Sequence, residues 1–429
     1  MREFVLNRPF GPSRWRNLHP NMRWAVLLWA VLVIGVTLRA AFAPVGSNSV
    51  FPVYSTAAQH WSSGENLYDF DFSQPHYRYH PAIAVSFVPA TLLPEKLAAI
   101  LWRWIGVGLL LAGLNAWLKY LAPVASTPAK RGLLLALVTP FALQSVNNAQ
   151  ANVHVIGLLL LGLVAAARDR WLWSALLIAV ATLFKMYPAA IGLLMVAIYP
   201  RPFALRYLLL VLAGSAIPFL AQQPDYVLEQ YRLWFESLVR DRRYDAPICG
   251  AYRDLSMVFR VCEVPFPEKT YHIVQACSGL AFAFLCLKLK QRGASRQLLL
   301  ATILHLGCLW MTLLGPSTES STYTLLGPTA ALLLVISPAE RSRPFRAVLG
   351  FGYALLIFRT VSMAFPIERT SILLALQPLG ALLILFVLIV EITSRLRLRV
   401  GQTLSKPSAA ESTRELPPRM PAVLAKADA

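Results

Sequence analysis

The chain has 429 residues, of which 57% are hydrophobic and only 14% are charged, with a mean hydropathy of +0.55. These values lie outside the usual range of soluble globular proteins and exclude that class. The formal net charge of +19 does not indicate nucleic-acid binding, because the Lys and Arg residues lie in short segments between apolar runs, where they are typical of cytoplasmic loops.

The apolar runs predict the fold class. They recur from Met22 to Ile392, and a helix needs roughly 20 residues to cross a bilayer. We therefore predict an all-α, polytopic integral membrane protein with about eleven to thirteen membrane helices. Several runs are too short to span unaided, and 80–94, which contains three prolines, is expected to lie in the interface or to re-enter. The approximate bounds are 24–44, 80–94, 98–121, 132–146, 152–167, 171–184, 187–200, 205–221, 271–289, 297–315, 323–337, 347–364 and 372–392.

The basic clusters predict the topology. Placing them in the cytoplasm puts both termini there and collects the polar loops 45–80 and 222–270 on the extracytoplasmic face of the cell membrane. Letting 80–94 span instead would move the next few loops to the other side. The predicted parts are a basic cytoplasmic segment, a single membrane domain and a disordered cytoplasmic tail, over residues 1–23, 24–392 and 393–429.

The opening loop, residues 45–80, combines acids, cations and aromatic side chains. Asp69 and Asp71 could act as a general base, and Arg78 could neutralise a phosphate. His80 and Tyr54 are further candidates for contacts with a substrate in this loop.

The next polar segment is the tip "NNAQAN", residues 147–152, between two apolar helices. Amides donate and accept hydrogen bonds without a charge, which suits sugar hydroxyls or a phosphate, and Asn148 and Gln150 are the candidates here. Helix capping is the alternative role, and it explains one or two of the amides. His154 follows the tip, but no second ligand lies at helical spacing, so neither a metal site nor a cofactor is predicted.

Lys185 lies within an apolar stretch of the sequence "ATLFKMYP". An ionisable side chain at membrane depth is costly and normally faces a cavity or a partner. Pro188 interrupts the helix beside the ammonium, and Tyr187 lies between the two. This arrangement indicates an anion site with a lipid phosphate as ligand. A lysine that extends from a helix end to the membrane surface is the other interpretation.

The loop 222–270 is rich in Tyr, Trp, Arg and Asp. Aromatic and aliphatic residues recur at helical spacing between Tyr226 and Phe235, which predicts an amphipathic helix lying on the membrane. Such a surface suits a carbohydrate or a lipid headgroup, and a plain interfacial aromatic belt is the alternative. Cys249 and Cys262 share this loop and could form a disulfide if it is extracytoplasmic.

Five stretches occur in this order along the chain: "FPVYSTAAQHWSSGENLYD", "YRYHPAIAVSFVPATLLP", "NNAQANVHVIGLLLLGLVAAARDR", "ALLIAVATLFKMYPAAIGLLMV" and "LGPSTESSTYTLLGPTAALLL". Taken together, they resemble glycosyltransferase family 87. The resemblance implies the GT-C membrane architecture and an inverting enzyme that uses a polyprenyl-phosphate sugar, typically mannose.

The chain departs from that pattern at two points. The family is expected to carry a catalytic aspartate just before the "FxVY"-like segment, and Val50 stands there. Relatives often carry histidines beside an acidic residue in the last stretch, whereas Glu319 is followed by two serines. Either another carboxylate has taken over, with Asp69, Asp71 and Glu319 as candidates, or the chain binds a lipid-linked sugar without transferring it.

The resemblance implies partners and roles. The expected partners are a polyprenyl-phosphate sugar donor, an extracytoplasmic glycan or glycolipid acceptor and the lipid bilayer. Lys185 and Arg78 would bind the donor phosphate, and Asn148 and Gln150 would make polar contacts. A transporter or flippase for a lipid-linked substrate is the alternative, for which Arg103 and Arg359 argue, and a scaffold without a cleft is a third.

Overall fold

The computed structural model describes residues 15–68, 76–240, 243–244, 246–336, 342–362 and 372–404. These residues form sixteen α-helices joined by short connections, and no strand occurs among them. The all-α prediction is therefore confirmed. The helices are α1 Pro20–Phe42, α2 Phe51–Ser63, α3 Pro81–Phe87, α4 Glu95–Tyr120, α5 Pro128–Asn147, α6 Asn152–Ala167, α7 Trp171–Phe184, α8 Ala189–Ile198, α9 Leu205–Ala216, α10 Pro224–Arg240, α11 Leu255–Val261, α12 Glu268–Gln291, α13 Arg296–Leu313, α14 Gly327–Ile336, α15 Arg343–Ser362 and α16 Ile372–Leu404.

Seven helical segments in the described part of the chain are long and apolar enough to cross a membrane, which makes this a polytopic membrane protein. They are Pro20–Phe42, Glu95–Tyr120, Pro200–Leu220, Glu268–Gln291, Arg296–Leu313, Arg343–Ser362 and Ile372–Ser394. Five shorter apolar segments correspond to the predicted runs that cannot span unaided: Pro81–Leu92, Asn152–Ala167, Trp171–Phe184, Ala189–Ile198 and Ser320–Ile336.

The chain divides into two compact units, residues 1–387 and 388–429. The described residues of the second unit are the end of α16, which runs to Leu404 and so extends beyond the predicted helix end at 392. The rest of the predicted tail and residues 1–14 lie outside the described residues.

The opening loop contains a helix that the sequence analysis missed. Helix α2 has Val50 at its N-cap without a side-chain cap, and it ends at Gly64, which adopts a left-handed backbone with φ of 74°. Glycine takes this conformation without a steric penalty, which favours the helix end at this position. The sequence lacks an N-cap signal at Val50, and the helix contains several polar residues. For these two reasons the segment was predicted as a loop.

An aromatic core supports this face of the molecule. It includes Phe51, Tyr54 and Trp61 from α2 and Phe87 from α3. The predicted amphipathic helix is present as α10, and its buried Trp234 packs on the same core. The opening loop and α10 therefore form one packed layer over the ends of the membrane helices.

Helices α4 and α6 cross in direct backbone contact. A Cβ at Gly157 would lie 2.6 Å from the carbonyl carbon of Leu109, so no larger residue fits there without a shift. This close crossing fixes the start of α6, and with it the polar tip 147–152, against the layer formed by the opening loop.

Candidate active site

A cavity of about 330 Å³ opens between the opening loop and the polar tips that follow α5, α7 and α13. We call one side the opening-loop wall, formed by Val50, Val53, Arg78, Tyr79 and His80. We call the other side the lysine wall, formed by Gln150, Lys185 and Tyr187. Arg243 and Glu319 also line the cavity.

The lysine wall is organised by one buried amide, Asn152. Its Oδ1 accepts a hydrogen bond from Lys185 Nζ at 2.9 Å and another from the Tyr187 hydroxyl at 2.6 Å. Lys185 adopts an extended backbone at the end of α7, since Pro188 cannot continue the helix hydrogen bonds. Burial lowers the pKa of Lys185 to about 8, while the negative charge of Glu319 opposes this shift.

Asn152 is held in turn by two serines. Its Nδ2 donates to Ser321 Oγ at 3.2 Å and to Ser145 Oγ at 3.4 Å. Ser145 Oγ also donates to the Ser321 carbonyl at 2.9 Å. The network connects α5, α6 and the 3₁₀ helix Ser320–Leu326. Because each partner is buried, the network fixes the position of the Lys185 ammonium.

Glu319 lies between an amide and a cation. Gln150 Nε2 donates to Glu319 Oε2 at 3.2 Å, and Arg243 Nη1 lies 3.5 Å from Oε1. Glu319 also caps the 3₁₀ helix that follows, together with Thr322. The Glu319 side chain is 40% exposed, so a substrate can reach it. The buried Oε1 of Gln150 has no hydrogen-bond partner among the described residues.

The opening-loop wall is mostly aromatic and apolar. Arg78 Nε donates to His76 Nε2 at 2.8 Å. Tyr79 lines the cavity, and its hydroxyl accepts a hydrogen bond from Tyr54 at 2.8 Å. Tyr54 is fully buried behind Tyr79, where its ring stacks on Phe87 with the centroids 4.8 Å apart. Tyr54 thus supports the wall and does not itself line the cavity.

His80 begins α3 and faces the cavity from a buried position. Its Nδ1 accepts from the Ala82 backbone N–H at 3.2 Å, and its Nε2 lies 3.2 Å from Ser215 Oγ and 3.3 Å from the Tyr231 hydroxyl. Burial lowers the pKa of His80 to about 4. The imidazole is therefore neutral near pH 7 and adds no charge to the cavity.

The structure brings six of the predicted site residues to this cavity: Arg78, His80, Gln150, Lys185, Tyr187 and Glu319. Asn148 is not among the described lining residues, since its side chain accepts from Asn147 Nδ2 and its carbonyl accepts from the Val50 N–H at 2.9 Å. Asp69 and Asp71 lie outside the described residues.

The residues at the site that had no assigned role in the sequence analysis include Tyr79, Asn152 and Arg243. Asn152 belongs to the polar tip 147–152. Its position in the first turn of an apolar helix could have indicated a buried amide that needs hydrogen-bond partners. Arg243 lies in a long polar loop with several other arginines, so the sequence could not distinguish it from them.

Two other predictions concern residues away from the cavity. Arg103, which argued for a transporter, is buried, and its guanidinium donates to the carbonyls of Ala99, Val146 and Asn147 and to Ser49 Oγ. These bonds indicate a structural role. Cys249 and Cys262 are both free and exposed, so the disulfide is not formed.

Comparison with known proteins places these observations in a family. The family model described as glycosyltransferase family 87 matches residues 77–316, which is more than half of the chain. The match includes the lysine wall and ends just before Glu319. The chain is also 26% identical over 360 residues to a protein of Mycobacterium tuberculosis, covering 81% of this chain and 80% of that protein. That relative is named a polyprenol-phosphate-mannose-dependent alpha-(1-2)-phosphatidylinositol pentamannoside mannosyltransferase.

Proposed function

Because the chain belongs to glycosyltransferase family 87, we propose that it transfers a hexose from a polyprenyl-phosphate donor to a glycan or glycolipid acceptor. By analogy with the mycobacterial relative, the hexose is mannose. The reaction takes place on the extracytoplasmic face of the cell membrane. The observation that carries this proposal is the joint lining of one cavity by Lys185, Arg78 and the carboxylate of Glu319.

The donor phosphate binds between the two walls. Lys185 supplies an ammonium that Asn152 already orients, and Arg78 supplies a guanidinium from the opposite wall. Charge-assisted hydrogen bonds of this kind are about twice as strong as neutral ones. They also stabilise the charge that gathers on the phosphate as the glycosidic bond breaks, so the same cations assist binding and departure.

Glu319 acts as the general base. It takes the proton from the acceptor hydroxyl as that oxygen forms a bond to the anomeric carbon. The bond from the anomeric carbon to the phosphate oxygen breaks, and polyprenyl phosphate leaves with the electron pair, which inverts the anomeric centre. Among the described residues that line the cavity, Glu319 is the one with a carboxylate. Asp69 and Asp71 remain the alternative candidates for the base.

The hexose lies beside Gln150. The Oε1 atom of Gln150 is buried and has no hydrogen-bond partner among the described residues. An unsatisfied buried acceptor costs about 1–3 kcal/mol. A sugar hydroxyl that donates to this atom removes the cost. Trp234 and Tyr79 line the same space and provide apolar ring surface for the sugar.

The test is a transfer assay with purified full-length protein, polyprenyl-phosphate mannose and glycolipid acceptor. We expect a mannosylated acceptor and an equal amount of polyprenyl phosphate. Comparing Glu319→Gln with Asp69→Asn and Asp71→Asn identifies the base. Donor binding without transfer by the native protein would contradict the proposed catalysis and leave a lipid-sugar-binding relative of the family.

A further inference from the structure

A second, smaller crevice lies beside the cavity, across the first turn of α2. Val50 and Val53 line the cavity, whereas Ser49, Phe51 and Pro52 line the crevice. The crevice encloses about 30 Å³, which is room for about two water molecules or for two oxygens of a phosphate group. One short segment of chain therefore separates the proposed active site from this crevice.

Three cationic side chains line the crevice: Arg39 of α1, and Lys96 and Arg103 of α4. No carboxylate occurs among the described residues of its lining. The nearest acid in sequence, Glu95, accepts a hydrogen bond from Ser55 Oγ at 2.9 Å and is not part of the lining. The crevice thus carries three positive charges without a compensating negative charge in its described lining.

Neutral oxygen atoms hold these cations in place. Arg39 donates to the Asn147 side chain, and Arg103 donates to the Asn147 carbonyl at 3.1 Å. Lys96 Nζ donates to the Ala41 carbonyl at 3.0 Å. Carbonyl and amide oxygens orient a cation without cancelling its charge. The two guanidinium groups therefore meet at one residue, and the charges there favour an anion.

Exposed apolar side chains lie in the crevice lining or next to it in sequence. Val45 of the lining is exposed, Phe42 beside Ala43 is 83% exposed, and Leu97 beside Lys96 is also exposed. Phe42 ends α1 and Leu97 lies in the first turn of α4, and both helices are long and apolar enough to span a membrane. A charged crevice beside apolar helix surface matches an amphiphile with an anionic head and acyl chains.

We propose that this cationic crevice binds the phosphate of an anionic membrane phospholipid, whose acyl chains lie along α1 and α4. The bound phosphate bridges the end of α1 and the start of α4 next to Ser49, and so it braces the opening-loop wall. A choline headgroup is disfavoured because its own cation would lie beside three others. This site is distinct from the donor phosphate site at Lys185.

The test measures binding to the purified full-length protein in detergent without donor. Titrations with dioctanoyl phosphatidylglycerol, dioctanoyl phosphatidylcholine and inorganic phosphate are followed by the midpoint of thermal unfolding. We expect phosphatidylglycerol to raise the midpoint strongly, and phosphatidylcholine and inorganic phosphate to leave it nearly unchanged. The double variant Arg39→Gln/Lys96→Gln should weaken its apparent affinity roughly thirtyfold, since each cation near an anionic lipid contributes about fivefold.

Two control variants locate the effect. Lys130→Gln removes a lysine at the start of α5 that also donates to a backbone carbonyl, and it should bind phosphatidylglycerol like the native protein. Lys185→Ala, which alters the proposed donor site, should also retain this affinity. If the double variant does not fold, the single variant Lys96→Gln replaces it, since Lys96 is exposed. We expect this variant to weaken binding about fivefold.

Unchanged phosphatidylglycerol affinity in the folded crevice variants would overturn the site. An equal shift from inorganic phosphate, with no further gain from the lipid, would overturn its assignment to a phospholipid. Loss of affinity in Lys185→Ala alone would place the lipid in the active-site cavity instead. Because no donor is present, each result is independent of whether the protein transfers a hexose.

Discussion

The two walls of the cavity are built in different ways. The lysine wall is fixed by a buried polar network in which Asn152 accepts from Lys185 and Tyr187 and donates to two serines. The opening-loop wall is fixed by aromatic packing behind Tyr79, and it presents Val50 where the family resemblance calls for an aspartate. The proposed phosphate-binding wall is thus held by a defined polar network, whereas the proposed base, Glu319, lies on a third segment of the chain.

This difference separates binding from chemistry. Changes in the lysine wall should act mainly on the affinity for the donor, because that wall positions a cation. Changes at Glu319 should act mainly on the rate of the bond-forming step, because a general base acts in the transition state.

The largest effect is expected for Glu319→Gln. The amide keeps the size of the side chain and its contact with Gln150, but it cannot take the proton of the acceptor. Loss of a general base costs about 10²–10⁴-fold in rate, so kcat should fall by at least a hundredfold while donor affinity changes less than about threefold. A kcat close to the native value would assign the base elsewhere, with Asp69→Asn and Asp71→Asn as the next variants.

Lys185→Ala should have the next largest effect. A hydrogen bond to a charged group contributes about 1.5–3 kcal/mol, which corresponds to about tenfold to a hundredfold in the dissociation constant of the donor. Equilibrium binding of labelled polyprenyl-phosphate mannose measures the loss. The matched control is Lys130→Ala, which removes a lysine remote from the cavity lining. Equal affinity of both variants would contradict a phosphate site at Lys185.

Asn152→Leu should weaken donor binding about tenfold and also lower stability. It leaves the Tyr187 hydroxyl and the Lys185 ammonium without their shared acceptor, at about 1–3 kcal/mol for each unsatisfied buried group. Thermal unfolding measures the stability change, and the KM for the donor measures the positioning. Asn115→Leu is the control, since Asn115 accepts from Arg131 away from the cavity. A stability loss without a change in KM would limit Asn152 to a structural role.

A smaller effect is expected from pH. Since burial lowers the pKa of Lys185 to about 8, its ammonium is charged below that pH and loses its proton above it. The kcat/KM for the donor should therefore fall as pH rises through about 8, by up to tenfold per unit. Lys185→Arg stays charged at all these pH values and should remove this fall. The same decline in the Arg variant would assign the titration to another group.

The smallest effect is expected for Val50→Asp. This change places a carboxylate on the opening-loop wall, at the position where the family resemblance calls for one. In the native background we expect a change in kcat of no more than a few fold, since the proposed base, Glu319, is still present. In the Glu319→Gln background we expect partial recovery of kcat. No recovery would indicate that this wall does not reach the acceptor hydroxyl.

The membrane helices and Lys185 could be predicted from local sequence signals. Lys185 was predictable because a charged residue in an apolar run beside a proline requires a partner or a cavity. The membrane helices were predictable from the length of the apolar runs. Glu319, Gln150 and Arg78 were named from their residue types and from the family resemblance, and they meet in the cavity although they are far apart in the chain.

Other features depended on tertiary contacts. Tyr54 was predicted to touch the substrate, but packing against Phe87 buries it behind Tyr79. Asn148 was predicted to contact the substrate, but the turn directs Gln150 into the cavity and Asn152 into the buried network behind the lysine wall. Arg103 suggested a polar pathway, yet it lies outside the active-site cavity, with its guanidinium bound to backbone carbonyls. Sequence spacing alone does not tell which polar side chain of a short tip points inward.

The most direct test of the proposed donor site is an experimental structure of the full-length protein with polyprenyl-phosphate mannose bound. We expect a phosphate oxygen at about 2.7–2.9 Å from Lys185 Nζ, with the anomeric carbon on the side of Glu319. A phosphate bound outside this cavity, with Lys185 still paired only to Asn152, would contradict it.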